Sequence, residues 1–505
     1  MSDTALLLAM LLIPWAAALL IPLAGRVPNL REGVSFAAGA ALLYVVARLV
    51  ARVAAGARPE LFVMEFAGRF EIAFELEPLG MTFAAIASSL WIVNTLFTLG
   101  YMRGNKEAHQ TRFFGFVAVA IASAMAIAAA GNLVTLFVFY EVMTISTFPL
   151  VTHKGDWAAR RGGTTYALVL MGTSLGLLFP AIIGTYILAG TTDFLPGGVF
   201  GPEVPATAIG ILLFLFAYGI GKAALMPVHP WLPAAMVAPT PVSALLHAVA
   251  VVKAGVFTML KVVVYTFGPG VTFASGASTV IAWIAAASIV IASLIALRQD
   301  NLKRRLAFST VSQLSYVTLG AMLAAPAALI GAGLQIVMHA WGKITLFMCA
   351  GAIYTIAHRS DISSFDGLGR ALPWVFGAFL VGSFSIIGIP PLGGSWPKFY
   401  LMLGSVERGQ GLIIAALIIS SVLNVVYLVP VAGRAFLFPP ADAEADAALR
   451  QTRRRHWAVI APPVLTAAGT LVLFAFAGDI ADFLAPIADG APILNGAPDL
   501  EGRPR

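Results

Sequence analysis

Five charged residues stand inside long apolar stretches of this sequence, namely Glu141, Lys222, Lys253, Lys343 and Lys398. An ionised side chain at the centre of a bilayer costs at least about 2.5–3.5 kcal/mol on insertion scales, so such residues face one another or a hydrated path where they occur. Removal from water disfavours the charged forms of both amino and carboxyl groups, which lets them take up and release protons. These five residues, which we call the row, therefore predict proton transfer across a membrane.

Histidine and serine side chains supply further candidate links. His339 precedes Lys343 by four residues, and Ser243 precedes His247 by the same spacing, which places each pair on one helix face. His229 follows a proline at a predicted helix break, where it can cap backbone groups or pass protons. We add His339 to the predicted proton-transfer row. The other three are auxiliary candidates, because a single histidine in a membrane is often only hydrogen-bonded between helices.

The composition places the chain in a membrane. Of its 505 residues, 59% are hydrophobic and only 11% are charged, against about 25% charged in ordinary soluble domains, and the mean hydropathy is +0.90. Repeated apolar runs of about 20 residues predict transmembrane helices. We expect an all-α membrane protein with about fourteen transmembrane helices. The single cysteine, Cys349, excludes a disulfide framework and a cysteine-ligated cluster within the chain.

Two of the predicted spans, the seventh and the twelfth, are interrupted by prolines at residues 226–230 and 389–394. Proline removes a backbone donor and clashes with the preceding turn, so both helices should break there. Broken helices in corresponding positions of two halves are typical of transporters built from inverted repeats, with a site near the membrane centre. Lys222 lies beside one break and Lys398 beside the other, which favours a transport path.

The breaks predict a domain organisation. Residues 1–110 hold the first three transmembrane helices, residues 111–267 the first five-helix repeat with helices 4–8, and residues 268–437 the second, inverted repeat with helices 9–13. Residues 438–505 form a cytoplasmic loop, the last helix and a tail.

Loop charge alternates along the chain. The loops after the odd-numbered spans sum to a positive charge, whereas the N-terminus, the other loops and the tail sum to a negative charge. The positive-inside rule then places both termini on the non-cytoplasmic side of a bacterial-type inner membrane. Lys261, near the end of the eighth span, is expected to extend its ammonium group to the surface. The net charge of +7 thus reflects topology and intramembrane lysines, and it does not predict nucleic-acid binding.

One long motif carries a family resemblance. It consists of GKAALMPVHPWLP at residues 221–233, APTPVSALLH at 238–247 and VKAG at 252–255, with support from FYE at 139–141, LKRRLAFSTVSQ at 302–313 and GIPP at 388–391. These segments resemble the proton-translocating antiporter-like subunits shared by respiratory complex I, membrane-bound hydrogenases and Mrp-type multisubunit Na⁺/H⁺ antiporters. The similarity covers roughly residues 75–430, and length and motif style look closest to the D-type subunit of Mrp antiporters.

Carried over residue by residue, the resemblance implies a role for each member of the row. Glu141 and Lys222 would form the coupling pair of a first half-channel. Lys253 would be the connecting lysine on the eighth span. His339 and Lys343 would bridge to the second half-channel.

The remaining member, Lys398, would be the terminal proton-transfer lysine of the second half-channel. Three features depart from the family pattern. Ala234 replaces the usual aspartate after the Trp-Leu-Pro segment, and Gln335 stands where some relatives have a second histidine. A long lateral amphipathic helix after the last span is also missing, so the chain does not look like the distal complex I subunit.

The function implied by this resemblance is proton translocation within a multisubunit cation/proton antiporter, with other membrane subunits, H⁺ and the lipid bilayer as partners. Whether Na⁺ or K⁺ is exchanged stays open. Two alternatives are a proton-pumping membrane subunit of an NADH:quinone oxidoreductase or membrane-bound hydrogenase, and a membrane partner in inorganic-carbon uptake. The sequence shows no recognisable catalytic centre, cofactor site or metal site, so membership in a redox enzyme also stays open.

Overall fold

A small β-hairpin that the sequence did not predict lies between the second and third spans in the chain. A computed structural model describes residues 2–66, 68, 70–440 and 443–491, with the side chains of 246–248, 443, 445–446 and 452–454 outside the description. Its first elements are α1 (Asp3–Leu23), α2 (Pro28–Ala54), β1 (Glu60–Phe66), β2 (Phe70–Glu75) and α3 (Pro78–Gly104). The two strands pair antiparallel, with Glu60 opposite Glu75.

The next three spans include α5, the helix that contacts Lys222. They are α4 (Gln110–Ala128), α5 (Leu133–Val151) and a sixth span made of α6 (Trp157–Thr173), a π-helical turn and α7 (Phe179–Ala189). The side chain of Asn132 caps α5 by accepting a hydrogen bond from the Thr135 amide at 2.7 Å, which satisfies one of the free amides of the first turn.

The seventh span breaks as predicted, and the eighth is also interrupted. The elements are α8 (Ala206–Gly219), a 3₁₀ turn (Gly221–Ala223), α9 (Trp231–Ala234), α10 (Thr240–Ala248), α11 (Val251–Val262) and α12 (Pro269–Ala274). Helix α8 ends at Gly219, ahead of the predicted segment at residues 226–230, and Pro227 and Pro230 keep the chain from resuming a regular helix there. The break in the eighth span falls at Val249 and Ala250, where Ala250 has φ −103° and ψ −86° and lies outside the helical region.

The core extends along the whole chain, and its two most deeply buried long helices lie in the second half. The helices of this half are α13 (Ala277–Leu297), α14 (Leu302–Leu323), α15 (Pro326–Ala357), α16 (Pro373–Ile387), α17 (Ser395–Glu407), α18 (Gly411–Leu437), α19 (Ala443–Thr452), α20 (Trp457–Ala475) and α21 (Ala477–Leu484). Nearly all side chains of α14 and α15 are buried. Large exposed hydrophobic side chains lie instead on outer helices such as α1, α6 and α18, as expected of a surface that faces lipid.

The helix count confirms a multi-pass membrane protein. In the described part of the chain, 11 helical segments are long and apolar enough to cross a membrane. The shorter apolar helices α8 and α16 belong to the interrupted seventh and twelfth spans, and α10 with α11 makes the eighth. The predicted all-helical fold of about fourteen spans is therefore confirmed, with the hairpin as an addition.

Candidate functional site

Lys222 lies in the 3₁₀ turn that follows α8, at the point where the seventh span loses its helical geometry. The turn ends at Ala224, which has a left-handed backbone with φ +54°. Helix α11 packs directly on this turn, because a Cβ atom on Gly255 would lie only 2.3 Å from the Lys222 carbonyl carbon. Glycine at 255 is thus required for the close approach that encloses Lys222.

The ammonium group of Lys222 binds α5. Its Nζ atom donates to the Tyr140 carbonyl oxygen at 2.7 Å and to the Thr144 hydroxyl at 2.6 Å. It also lies 3.1 Å from the centre of the Tyr140 ring, within range of a cation–π interaction. Thr144, which is not among the residues predicted for the row, is thus a direct partner of the buried lysine.

Glu141, the expected partner of Lys222, neighbours these contacts on α5 without joining them. Both oxygens of its carboxylate are buried, and neither accepts a hydrogen bond from any residue that the structure describes. Lys222 and Glu141 therefore influence each other through space and do not form a contact ion pair here. A small rotation of either side chain would change their mutual attraction, which is the property that a charge-sensitive pair needs.

Lys253 and His339 form a direct link between α11 and α15. The Lys253 Nζ atom lies 2.6 Å from His339 Nδ1, and both side chains are buried. Lys253 also occupies the first turn of α11, where the helix dipole opposes a positive charge. The i,i+4 spacing of His339 and Lys343 suggested a pair on one helix, whereas the histidine ring bridges to the other helix. Such a lysine–imidazole contact can hold one shared proton.

Lys343 connects α15 to α14 and α18. Its Nζ atom donates to the Ser309 hydroxyl at 2.6 Å. The same hydroxyl lies 2.8 Å from Tyr427 Oη, and the single Tyr427 hydrogen can be donated either to it or to the Asn424 side-chain oxygen. Three hydroxyl and amide groups thus extend the site of Lys343 along α18.

Lys398, on α17 just after the second helix break, reaches the same face of α18. It donates to the Ile387 carbonyl oxygen at 2.7 Å and to the Ser421 hydroxyl at 2.9 Å. Ser421, Asn424 and Tyr427 follow one another at a spacing of three residues, which places them on one side of the helix. We call these three residues the α18 polar stripe. It spans the interval between Lys398 and Lys343, and sequence reasoning missed it.

Two of the auxiliary candidates, His229 and Ser243, lie outside this chain of contacts. His229 is half-buried, with its ring centre 6.1 Å from that of Phe308. Ser243 is buried, and its hydroxyl has no hydrogen-bond partner among the described residues. His247 falls among the side chains outside the description. No group of three or more His, Cys, Asp or Glu side chains within the described ranges is arranged to hold a metal ion.

A family model confirms the resemblance. The model described as "NADH:quinone oxidoreductase/Mrp antiporter, TM" matches residues 130–424, more than half of the chain. The protein therefore belongs to this family of antiporter-like membrane subunits. Relatives and structural neighbours include subunits of multisubunit membrane complexes.

Particular relatives come from several such complexes. NADH-quinone oxidoreductase subunit N of Desulforudis audaxviator is 29% identical over 483 residues, which cover 92% of this chain and 94% of that protein. Subunit L of the Mycobacterium tuberculosis enzyme is 31% identical over 362 residues, covering 69% of this chain and 55% of that protein. The chain thus spans about half the length of its subunit L relatives.

Solved structures share the fold over nearly the whole chain. A chain of the Mrp complex from Dietzia sp. superposes with a TM-score of 0.83 at 23% identity, with 97% of both chains covered. A chain of the membrane-bound sulfane sulfur reductase, an archaeal respiratory membrane complex, gives a TM-score of 0.81 at 19% identity, with coverage of 97% and 98%. At these identities the likeness shows the fold alone.

Proposed function

We propose that this chain is the proton-translocating subunit of a multisubunit cation/proton antiporter, equivalent to the D-type subunit of Mrp antiporters. Protons would move along Glu141, Lys222, Lys253, His339, Lys343 and Lys398, with residues 111–267 and 268–437 as two inverted half-channels. Both termini would lie on the non-cytoplasmic side of a bacterial-type inner membrane, as the alternating loop charge favours.

One observation carries the proposal. Each of the four lysines in the row donates to neutral acceptors, which are carbonyl oxygens, hydroxyl groups and one imidazole. No carboxylate contacts any of these four ammonium groups in the part of the chain that the structure describes. Each lysine can therefore pass its proton to a neighbour without leaving a buried anion behind, and a lysine without a contact counter-ion changes charge readily in a buried site.

Ion movement through the assembled complex tests this proposal. The complex would be isolated through a tag on this chain and reconstituted in liposomes that contain a pH-sensitive dye. We expect a Na⁺ or K⁺ gradient to drive a change of internal pH that empty liposomes do not show. Proton translocation would be refuted if liposomes with the complex show no more internal pH change than empty liposomes. This must hold under every cation gradient and with redox substrates present.

A second candidate function has its own support. The relative named subunit N matches nearly its full length, which favours a membrane subunit of an NADH:quinone oxidoreductase. In that case protons would move only when NADH and a quinone are supplied to the complex, and a cation gradient alone would drive none. The same liposomes therefore separate an exchanger from a redox-driven pump.

Removing one hydroxyl from the α18 polar stripe is expected to slow proton movement. Tyr427→Phe keeps the ring in place but removes the hydroxyl that contacts both Ser309 and Asn424. We therefore expect proton flux to fall about tenfold, somewhat less than for loss of a directly positioned proton-transfer group. The measurement is the initial rate of internal pH change per assembled complex.

Tyr101→Phe is the matched control for this variant. Tyr101 is also buried, its hydroxyl is hydrogen-bonded to Thr240, and no lysine of the row contacts either residue in the part of the chain that the structure describes. Both variants lose one buried hydrogen bond, worth about 1 kcal/mol of stability. Equal flux in the two variants would remove Tyr427 from the proposed path.

A further inference from the structure

Lys261 is a fifth buried lysine, and the row does not use it. The expectation that its ammonium group extends to the surface is wrong, because the side chain is only 1% exposed. Its Nζ atom lies 3.0 Å from Glu77 Oε1 in an ion pair between α11 and the start of α3. Tyr265, one turn further along, donates to the other carboxylate oxygen at 3.3 Å.

The ion pair of Glu77 and Lys261 borders a cavity next to the hairpin strand β2. The cavity has a volume of about 240 Å³ and is lined by Arg58, Glu75, Glu77, Lys261 and Tyr265, together with apolar residues of the loops after α4 and α7. That volume holds several water molecules, since each takes about 30 Å³ in the liquid. Burial raises the pKa of the Glu75 carboxyl, against the opposing charges of Lys261 and Arg58.

Lys261 lies on the same helix as Lys253, a central member of the row. The two are eight residues apart, which corresponds to about 12 Å along the helix axis. Between them lie Phe257, whose ring centre is 5.5 Å from the Lys261 ammonium, and Thr258. The Thr258 hydroxyl is buried and has no hydrogen-bond partner among the described residues. A polar atom without a partner thus occurs in the interval between the row and the cavity.

We propose that Glu77 and Lys261 form a proton transfer point that connects the row at Lys253 with the cavity on the hairpin face. This inference rests on the proposed function, since it needs protons in the row. The proton on Lys261 moves to Glu77, where an N–H bond breaks and an O–H bond forms, so both groups become neutral together. Glu77 then releases the proton into the cavity, and the neutral amine of Lys261 takes the next proton from the side of Lys253.

The alternative is that the pair only fastens α11 to α3. Glu77 also accepts hydrogen bonds from the backbone amides of Leu79 and Gly80, so it caps α3 in addition to holding Lys261. Changing Glu77 would therefore disturb the fold in either case. Arginine at position 261 separates the two roles, because it can pair with Glu77 but does not release its proton at physiological pH.

The test is Lys261→Arg in the complete complex, assayed in liposomes beside the wild type and Lys222→Met. We expect the arginine variant to assemble and to melt like the wild type but to lose at least about tenfold in proton flux. Normal flux in Lys261→Arg overturns the transfer point and leaves the pair as a structural clamp. If the wild type itself moves no protons, the proposed function fails. If the wild type and Lys261→Arg both conduct protons while Lys222→Met does not, the proposed function stands and only the inference about Glu77 and Lys261 fails.

A spectroscopic measurement covers the case in which Lys261→Arg does not assemble. In infrared difference spectra of the working wild-type complex, protonation of Glu77 should appear as a carboxylic-acid band. Glu77→Asp, which keeps the charge and the cap, should shift that band. A carboxylic-acid region that is identical in the wild type and in Glu77→Asp would overturn the proposal.

Discussion

Lys222→Met is expected to abolish proton flux through the assembled complex and to leave the complex folded. The loss should be at least about 100-fold, the scale on which a positioned proton-transfer group contributes. Methionine fills a similar volume. Lys222 has no contact counter-ion among the described residues, so its replacement does not break a buried contact ion pair, which is the strongly destabilising case. The former acceptors also keep a partner, because the Thr144 hydroxyl already donates to the Tyr140 carbonyl oxygen at 3.1 Å.

Two further variants show whether the charge or the mobile proton of Lys222 matters. Lys222→Arg keeps a positive charge that is not released, so its flux should be as low as that of Lys222→Met. Thr144→Val removes one of the two acceptors and should reduce flux only several-fold, on the scale of one hydrogen bond. Substantial flux in Lys222→Arg, measured as the rate of internal pH change per complex, would mean that the lysine acts through its charge alone.

The Lys253–His339 contact should behave as a single unit. We expect Lys253→Met and His339→Ala each to lower proton flux at least about tenfold, and the double variant to lower it no further. The reason is the 2.6 Å contact between the two groups, since loss of either one removes the shared proton position. The four liposome rates make a double-mutant cycle, and additive losses in that cycle would show that the two residues act separately.

Gln335→Ala is the matched control for His339. Gln335 lies one turn earlier on α15, is also buried, and donates to the Gln313 side chain at 2.9 Å. The substitution removes a buried polar side chain of the same helix without touching a lysine of the row. Flux should therefore stay within about twofold, and a larger effect would indicate a general response of α15 to lost packing.

Burial energy and proline chemistry made much of the fold predictable. A lysine in an apolar run is expensive wherever the run packs, so the row could be identified before any neighbour was known. Prolines in segments 226–230 and 389–394 exclude regular helix locally. Breaks near Lys222 and Lys398 could therefore be predicted, although α8 already ends at Gly219. The interruption at Ala250 contains no proline and could not be predicted in this way.

The contacts of the site residues were less predictable than their positions in the sequence. Helical periodicity tells which residues share a face, but it does not tell which helix that face meets. For this reason His339 was assigned to Lys343 although it contacts Lys253, and Thr144 and Tyr427 were overlooked. Lys261 was expected at the surface because its partner, Glu77, lies 184 residues away in the chain. The three-residue spacing of Ser421, Asn424 and Tyr427 in an apolar helix was a signal for the α18 polar stripe, since polar side chains in membrane helices usually bind a neighbour.

The hydroxyl group of Tyr427 has one hydrogen and two acceptors, Ser309 on the side of Lys343 and Asn424 on the side of Lys398. An amide oxygen accepts a hydrogen bond but has no hydrogen of its own to hand on. The Tyr427 hydroxyl can therefore exchange a proton with Ser309, but a proton that continues towards Lys398 has to bypass the Asn424 oxygen. The second half of the path would then conduct only when a water molecule or a rotated hydroxyl bridges this interval, which limits passive proton leakage.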